Sequence, residues 1–158
     1  MNKPGLVCAL MLFILVSYSW KPERVAGKTL DLQNGFVGRW QVKFVLSGIG
    51  EKNLIFDAQA HGDGLILLQD AGPQNQPASS KVPAAWSVLD NNRVNASGEV
   101  ELPLGTCCRE SGTLILKGKF AGTNSISGKA IFVGSSEDAE NVLGYRISTG
   151  TFTATREN

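Results

Sequence analysis

The side chains with the most reactive chemistry are two adjacent cysteines, Cys107 and Cys108, followed at once by Arg109 in the stretch Pro103-Leu104-Gly105-Thr106-Cys107-Cys108-Arg109-Glu110-Ser111-Gly112. Neighbouring α-carbons lie about 3.8 Å apart, short of the roughly 4.4 to 6.8 Å that disulfides span. A bond between the two would close a small strained ring and stiffen the loop. Two other readings stay open: a redox or ligand contact in which Arg109 lowers a thiol pKa, and pairing between molecules. The remaining candidates carry less. The single histidine, His61, stands in the turn sequence His61-Gly62-Asp63, at the opposite end of the meander inferred below, so it cannot join the thiols around a metal. A Ser-His-Asp hydrolase would have to use that same histidine, and no nucleophile elbow is present. Glu99 and Glu101 alternate along one run, as do Lys117 and Lys119, which is the pattern of a surface charge ladder and not of a catalytic dyad. Glu137-Asp138-Ala139-Glu140 lacks the glycine turn and the spacing of a calcium loop. Asn95-Ala96-Ser97 matches a glycosylation sequon but falls inside a strand pattern. These residues assign no catalytic group, no metal site and no cofactor.

What state the cysteines are in depends on the compartment, and the N-terminus speaks to that. Lys3 precedes an apolar run, Gly5 to Val16, that has no ionisable side chain, and Ser17-Tyr18-Ser19 follows with small residues where a signal peptidase reads. Cleavage after Ser19 is the expectation, giving an exported chain, periplasmic or secreted. The alternative is a membrane tether by an uncleaved segment, although Gly5 to Trp20 falls short of the roughly 20 residues that span a bilayer. After cleavage no stable membrane span is expected. Cys8 leaves with the peptide, and the pair that stays enters an oxidising setting. Residues 20–33 read as a linker or mobile arm, and residues 34–158 as one domain with one core. Removing residues 1–26 leaves 12 basic and 13 acidic residues, a shift from +1 to −1. A near-neutral domain with no run of lysine or arginine lacks the footprint of a nucleic-acid binder.

The elements that must position these residues are strands. After Gly38 the chain alternates apolar and polar residues with period two, in short runs parted by Gly, Asn, Asp and Pro. Eight runs are found: 39–47, with Trp40, Val42, Phe44 and Leu46 on one face; 52–60; 64–69; 84–89, with Trp86 and Val88; 93–102, with Val94, Ala96, Gly98, Val100 and Leu102 inward; 112–120; 125–133; and 147–156. Strands that bury one face must close on themselves or pack against a second sheet. The expectation is an all-β, eight-stranded antiparallel up-and-down barrel, with a β-sandwich as the alternative. Consecutive runs are joined by local turns, and Gly98, Gly118, Gly128 and Gly150 recur on the inward face, where glycine permits the bending that closure needs.

Alternate turns of a meander lie at opposite ends. Those at 61–63, 90–92 and 121–123 are tight and share one end; those at 48–51, 70–83, 103–111 and 134–146 share the other, and three of these are long. Loops on a rigid barrel are where binding usually resides, so the long-loop end is the expected mouth, with Cys107, Cys108, Arg109 and Trp86 as its ligand-binding candidates.

Phe36-Val37-Gly38-Arg39-Trp40 opens the first strand, and Gly150-Thr151-Phe152-Thr153-Ala154-Thr155-Arg156 closes the last. This resembles the calycin pattern of lipocalins and fatty-acid-binding proteins. The resemblance rests on Gly38, Trp40 and Arg156, and implies a barrel whose first tryptophan is covered by a basic residue near its end. Trp40 and Arg156 would then close the barrel floor. The helix that lipocalins place near the last strand and the helical lid of fatty-acid-binding proteins have no counterpart here. The middle of the chain loosely resembles small bacterial exported proteins. The expected function is a non-catalytic exported barrel that takes a small, largely apolar ligand at the long-loop end. The alternatives are a packed barrel serving as a cell-envelope interaction or structural module without ligand, and an enzyme or redox protein using Cys107-Cys108. A cavity below about 300 Å³ leaves no room for an ordinary ligand.

Overall fold

A computed structural model of the chain describes residues 35–69, 81–89, 92–104, 108–135 and 145–157. They form eight strands: β1 (Gly38–Leu46), β2 (Gly50–Ala58), β3 (Asp63–Leu68), β4 (Lys81–Leu89), β5 (Arg93–Leu104), β6 (Cys108–Phe120), β7 (Ser125–Ser135) and β8 (Tyr145–Arg156), with one 3-10 turn at Ala60–Gly62. Each strand pairs antiparallel with the next, and β8 pairs back onto β1, so the sheet closes as an up-and-down barrel. The closed circuit of pairings excludes the sandwich, and among the described residues 99–104 of β5 pair with β6 alone.

The period of two decides what fills the inside. Trp40, Val42, Phe44 and Leu46 of β1, Leu54, Phe56 and Ala58 of β2, and Leu114, Leu116, Phe132, Phe152 and Ala154 of β6 to β8 are all buried. Their polar neighbours in sequence, among them Arg39, Gln41, Lys43, Lys117 and Lys129, are exposed. Where large side chains point inward, glycines stand opposite. The Phe152 ring occupies the space a methyl on Gly118 would need, and Ile66 does the same at Gly98. Gly112 pairs directly with Gly134, and Gly118 with Gly128.

The structure lengthens several strands at the long-loop end. β5 runs on through Pro103 and Leu104, and β6 begins at Cys108. Residues 103, 104 and 108–111 of the expected loop over 103–111 therefore belong to strands, and 105–107 lie outside the described residues. Cys108, Arg109 and Glu110 are ladder residues, paired with Leu104, Pro103 and Leu102. β4 likewise starts at Lys81 and carries Pro83 within it. The physical reason is that proline removes only a donor, so Pro83 and Pro103 sit in strands wherever that N–H has no partner to serve.

Candidate functional site

At the tight end the chain enters the barrel through Gly35, Phe36 and Val37, then turns into β1 at Gly38, whose φ of +133° is open to glycine alone among common residues. That turn lays Phe36 across the barrel opening. Its ring stacks on Trp40 at 5.4 Å between centroids and contacts Trp86 at 4.8 Å and Phe56 at 5.8 Å. The Trp40 indole donates to Phe36 O at 2.8 Å, and the Trp86 indole donates to Asp63 O at 2.6 Å and Gln59 O at 3.0 Å. Arg156 lies over the Trp40 ring, 4.6 Å from its centroid. Its guanidinium donates through Nη1 to Val37 O at 2.9 Å and through Nη2 to Gly35 O. One cation thus ties the last strand to the segment that plugs the barrel. Its Nε is buried without an acceptor.

Trp86, expected among the mouth residues, belongs to this floor. β4 runs from the long-loop end to the tight end, and Trp86 is in its second half. Arg109 is also not part of a mouth lining: it sits on the outer face, 3.6 Å from Glu101. Cys107 lies outside the described residues. The Cys108 backbone stands opposite Leu104 at the start of β6. The structure therefore does not bring Trp86 and Arg109 together.

What it does bring together at the long-loop end is Glu110 and Arg146. The register puts Glu110 opposite Leu102, on the inward face, and Arg146 opposite Gly134. Glu110 is 8% exposed, and among the described residues neither of its carboxylate oxygens has a hydrogen-bond partner. Its closest cation is Arg146 Nη1 at 3.7 Å, too far for a hydrogen bond. The carboxylate rests on Gly134, where any Cβ would overlap it, and Ser148 is the other buried polar residue on this inward face. A buried carboxylate without donors costs stability. Replacing it by an apolar residue of similar shape, Glu110→Met, is expected to raise the unfolding free energy by about 1–3 kcal/mol, since Arg146 is half exposed and stays solvated. Urea unfolding checks this; a loss of stability would mean that Glu110 holds a structural partner.

The cavity bounded by Phe36, Trp40, Val42, Phe56, Leu116 and Phe152, with their neighbours, holds about 20 Å³, room for a single water. A wider depression of about 600 Å³ lies outside the barrel at the tight end, between Gly35, Asn92, Phe120, Thr123 and Arg156. Among the described residues no three His, Cys, Asp or Glu side chains come close enough to hold a metal ion.

Fold and site together define a class, the closed eight-stranded up-and-down barrel with an aromatic floor. Comparison with protein-family models, with curated proteins and with solved structures finds no match.

Proposed function

We propose that the chain is a non-catalytic, exported barrel of calycin-like type whose packed interior is a scaffold, and that it serves as an interaction module of the cell envelope. The observation that carries this reading is the packing of the described core, whose cavity at the floor, among Phe36, Trp40 and Phe152, holds about 20 Å³, against the 300 Å³ or more that a drug-sized ligand fills. The floor is plugged by Phe36 and bolted by Arg156, so no path opens from that end. A second reading, a small ligand held at the long-loop end, is favoured by Glu110. Its bare carboxylate would take a hydrogen-bond donor from a ligand's polar head, beside apolar walls at Leu102 and Phe132.

Titration with cis-parinaric acid, read by its own fluorescence and by quenching of tryptophan emission, separates the two. The packed scaffold takes up no probe at one-to-one stoichiometry. Saturable uptake that unlabelled fatty acid competes away, and that Glu110→Met abolishes, would overturn it in favour of the mouth ligand.

A further inference from the structure

Four cations crowd one wall of the barrel. Arg93 of β5 pairs directly with Lys119 of β6, and Lys117 of β6 pairs directly with Lys129 of β7. All four are exposed. None has an acidic partner among the described residues; the ion pairs of this surface engage Arg39, Lys43, Arg109 and Arg146 instead. The outward positions next to them on the neighbouring strands include Leu89, Asn95, Ser127, Thr151 and Thr153, none of them acidic. A domain with 12 basic and 13 acidic residues beyond position 26 has therefore segregated its charge.

Packing gives no reason for this arrangement. Like charges directly opposite each other destabilise a sheet, and here two such pairs share β6. Lysines placed to block edge-to-edge pairing have no such task in a closed barrel. Further along β6, β7 and β8, toward the long-loop end, aliphatic side chains stand outward, Ile115 paired with Ile131 and Val133 with Ile147, which is 66% exposed, while β5 beside them carries the exposed Glu99 and Glu101. A convex wall with cations in one belt and aliphatic side chains in the next has the layering of a bilayer's headgroup and acyl boundary. A nucleic acid would gain nothing from the aliphatic belt.

We propose that the outer wall formed by Arg93, Lys117, Lys119 and Lys129 docks the barrel on a bilayer surface bearing anionic phospholipids. The proposal rests on the interaction-module reading and names its partner. It requires no ligand inside the barrel.

The test is cosedimentation of the full chain with vesicles of pure phosphatidylcholine and of an equimolar mixture with phosphatidylglycerol. Every variant retains residues 1–34, so any binding through that segment is common to all. Wild type is expected to partition onto the phosphatidylglycerol vesicles, and less so at high salt. With each cation contributing about fivefold near an anionic surface, the pair Lys117→Gln and Lys129→Gln should weaken partition by about twentyfold to thirtyfold. Arg93→Gln with Lys119→Gln should do the same, and Lys43→Gln, on the wall where Lys43 is paired with Glu51, should change little. Circular dichroism confirms the folded state of each. Equal partition of wild type and both double variants overturns the proposal, as does equal binding to the two vesicle types. Retention of a duplex oligonucleotide that the same variants lose, without preference for phosphatidylglycerol, overturns it in favour of a soluble polyanion. cis-Parinaric acid uptake measured on the same proteins keeps the two readings apart: uptake with the charge dependence intact defeats the packed scaffold alone, and no uptake with no charge dependence defeats lipid docking alone.

Discussion

Adding one methyl group at Gly150 or Gly128 is expected to destabilise the barrel by about 3 kcal/mol or more, among the largest effects a single substitution can have here. The reason lies in backbone, not in side-chain crowding. A Cβ built on Gly150 would overlap the carbonyl oxygen of Val45 on β1, and one on Gly128 would overlap the carbonyl of Lys117 and approach the Gly118 α-carbon on β6. No rotamer change relieves such a contact; the strands themselves have to part. Gly150 stands opposite Leu46, at the seam where β8 returns to β1 and closes the cylinder, so parting there opens the barrel. The control is Gly35→Ala, whose new methyl meets no heavy atom within 4 Å and which should stay within about 0.5 kcal/mol of wild type. Urea unfolding of the three variants measures the difference. A loss below about 1 kcal/mol at both Gly150 and Gly128 would mean that closure is less tight than these contacts require.

Those glycines also mark how far the sequence reaches. Alternation told which residues face inward, and glycine recurring on that face pointed to a strongly bent sheet, because a flat sheet has no use for missing side chains there. The closed meander followed from the local turns together with those glycines. What alternation could not fix was where strands end. Pro103 and the glycine at 105 read as loop, yet the ladder continues through Leu104 and resumes at Cys108. A ladder persists as long as two backbones can keep trading hydrogen bonds, and that depends on a partner strand the local pattern does not reveal.

The mouth pair was hidden for the same reason. Read as a loop residue, Glu110 is an ordinary solvated acid. Once β6 is known to begin at Cys108, parity alone turns it inward beside Leu102 and Phe132, and a routine carboxylate becomes the least satisfied group in the described interior. The one signal available in the sequence was phase: Glu110 is an even step from Gly118, which the strand pattern already placed on the inward face. Trp86 illustrates the reverse error. Its place in a strand was legible, but a nine-residue strand spans the barrel, and only the pairing of Ala85 with Asp63 and Ala96 with Trp86 fixes which end it serves.

Phe36 is the second site where a large effect is expected, and it tests whether the floor is part of the folding unit. The residue precedes the first strand, where a chain terminus is commonly loose. Yet it is 4% exposed and touches Trp40, Phe56, Trp86 and Phe120, rings drawn from four strands. Phe36→Ala should therefore cost about 3–5 kcal/mol, the range for deleting a packed aromatic side chain, with the larger value if the surrounding rings cannot collapse into the gap. Collapse is resisted on each side: both indoles are held by their hydrogen bonds to backbone carbonyls, and Arg156 pins Trp40 from above. The space left would join the existing 20 Å³ cavity and remain lined by apolar groups. Apolar voids of that kind stay dry and accept benzene, so benzene should restore part of the lost stability in the variant and leave wild type unchanged. A loss under about 1 kcal/mol, or no response to benzene, would place Phe36 outside the cooperative core and make the strands alone responsible for closing the barrel. A full loss with rescue would make the short segment ahead of β1 as much a part of the fold as any strand, because among the described residues Phe36 is the one whose ring meets Trp40, Phe56, Trp86 and Phe120 together.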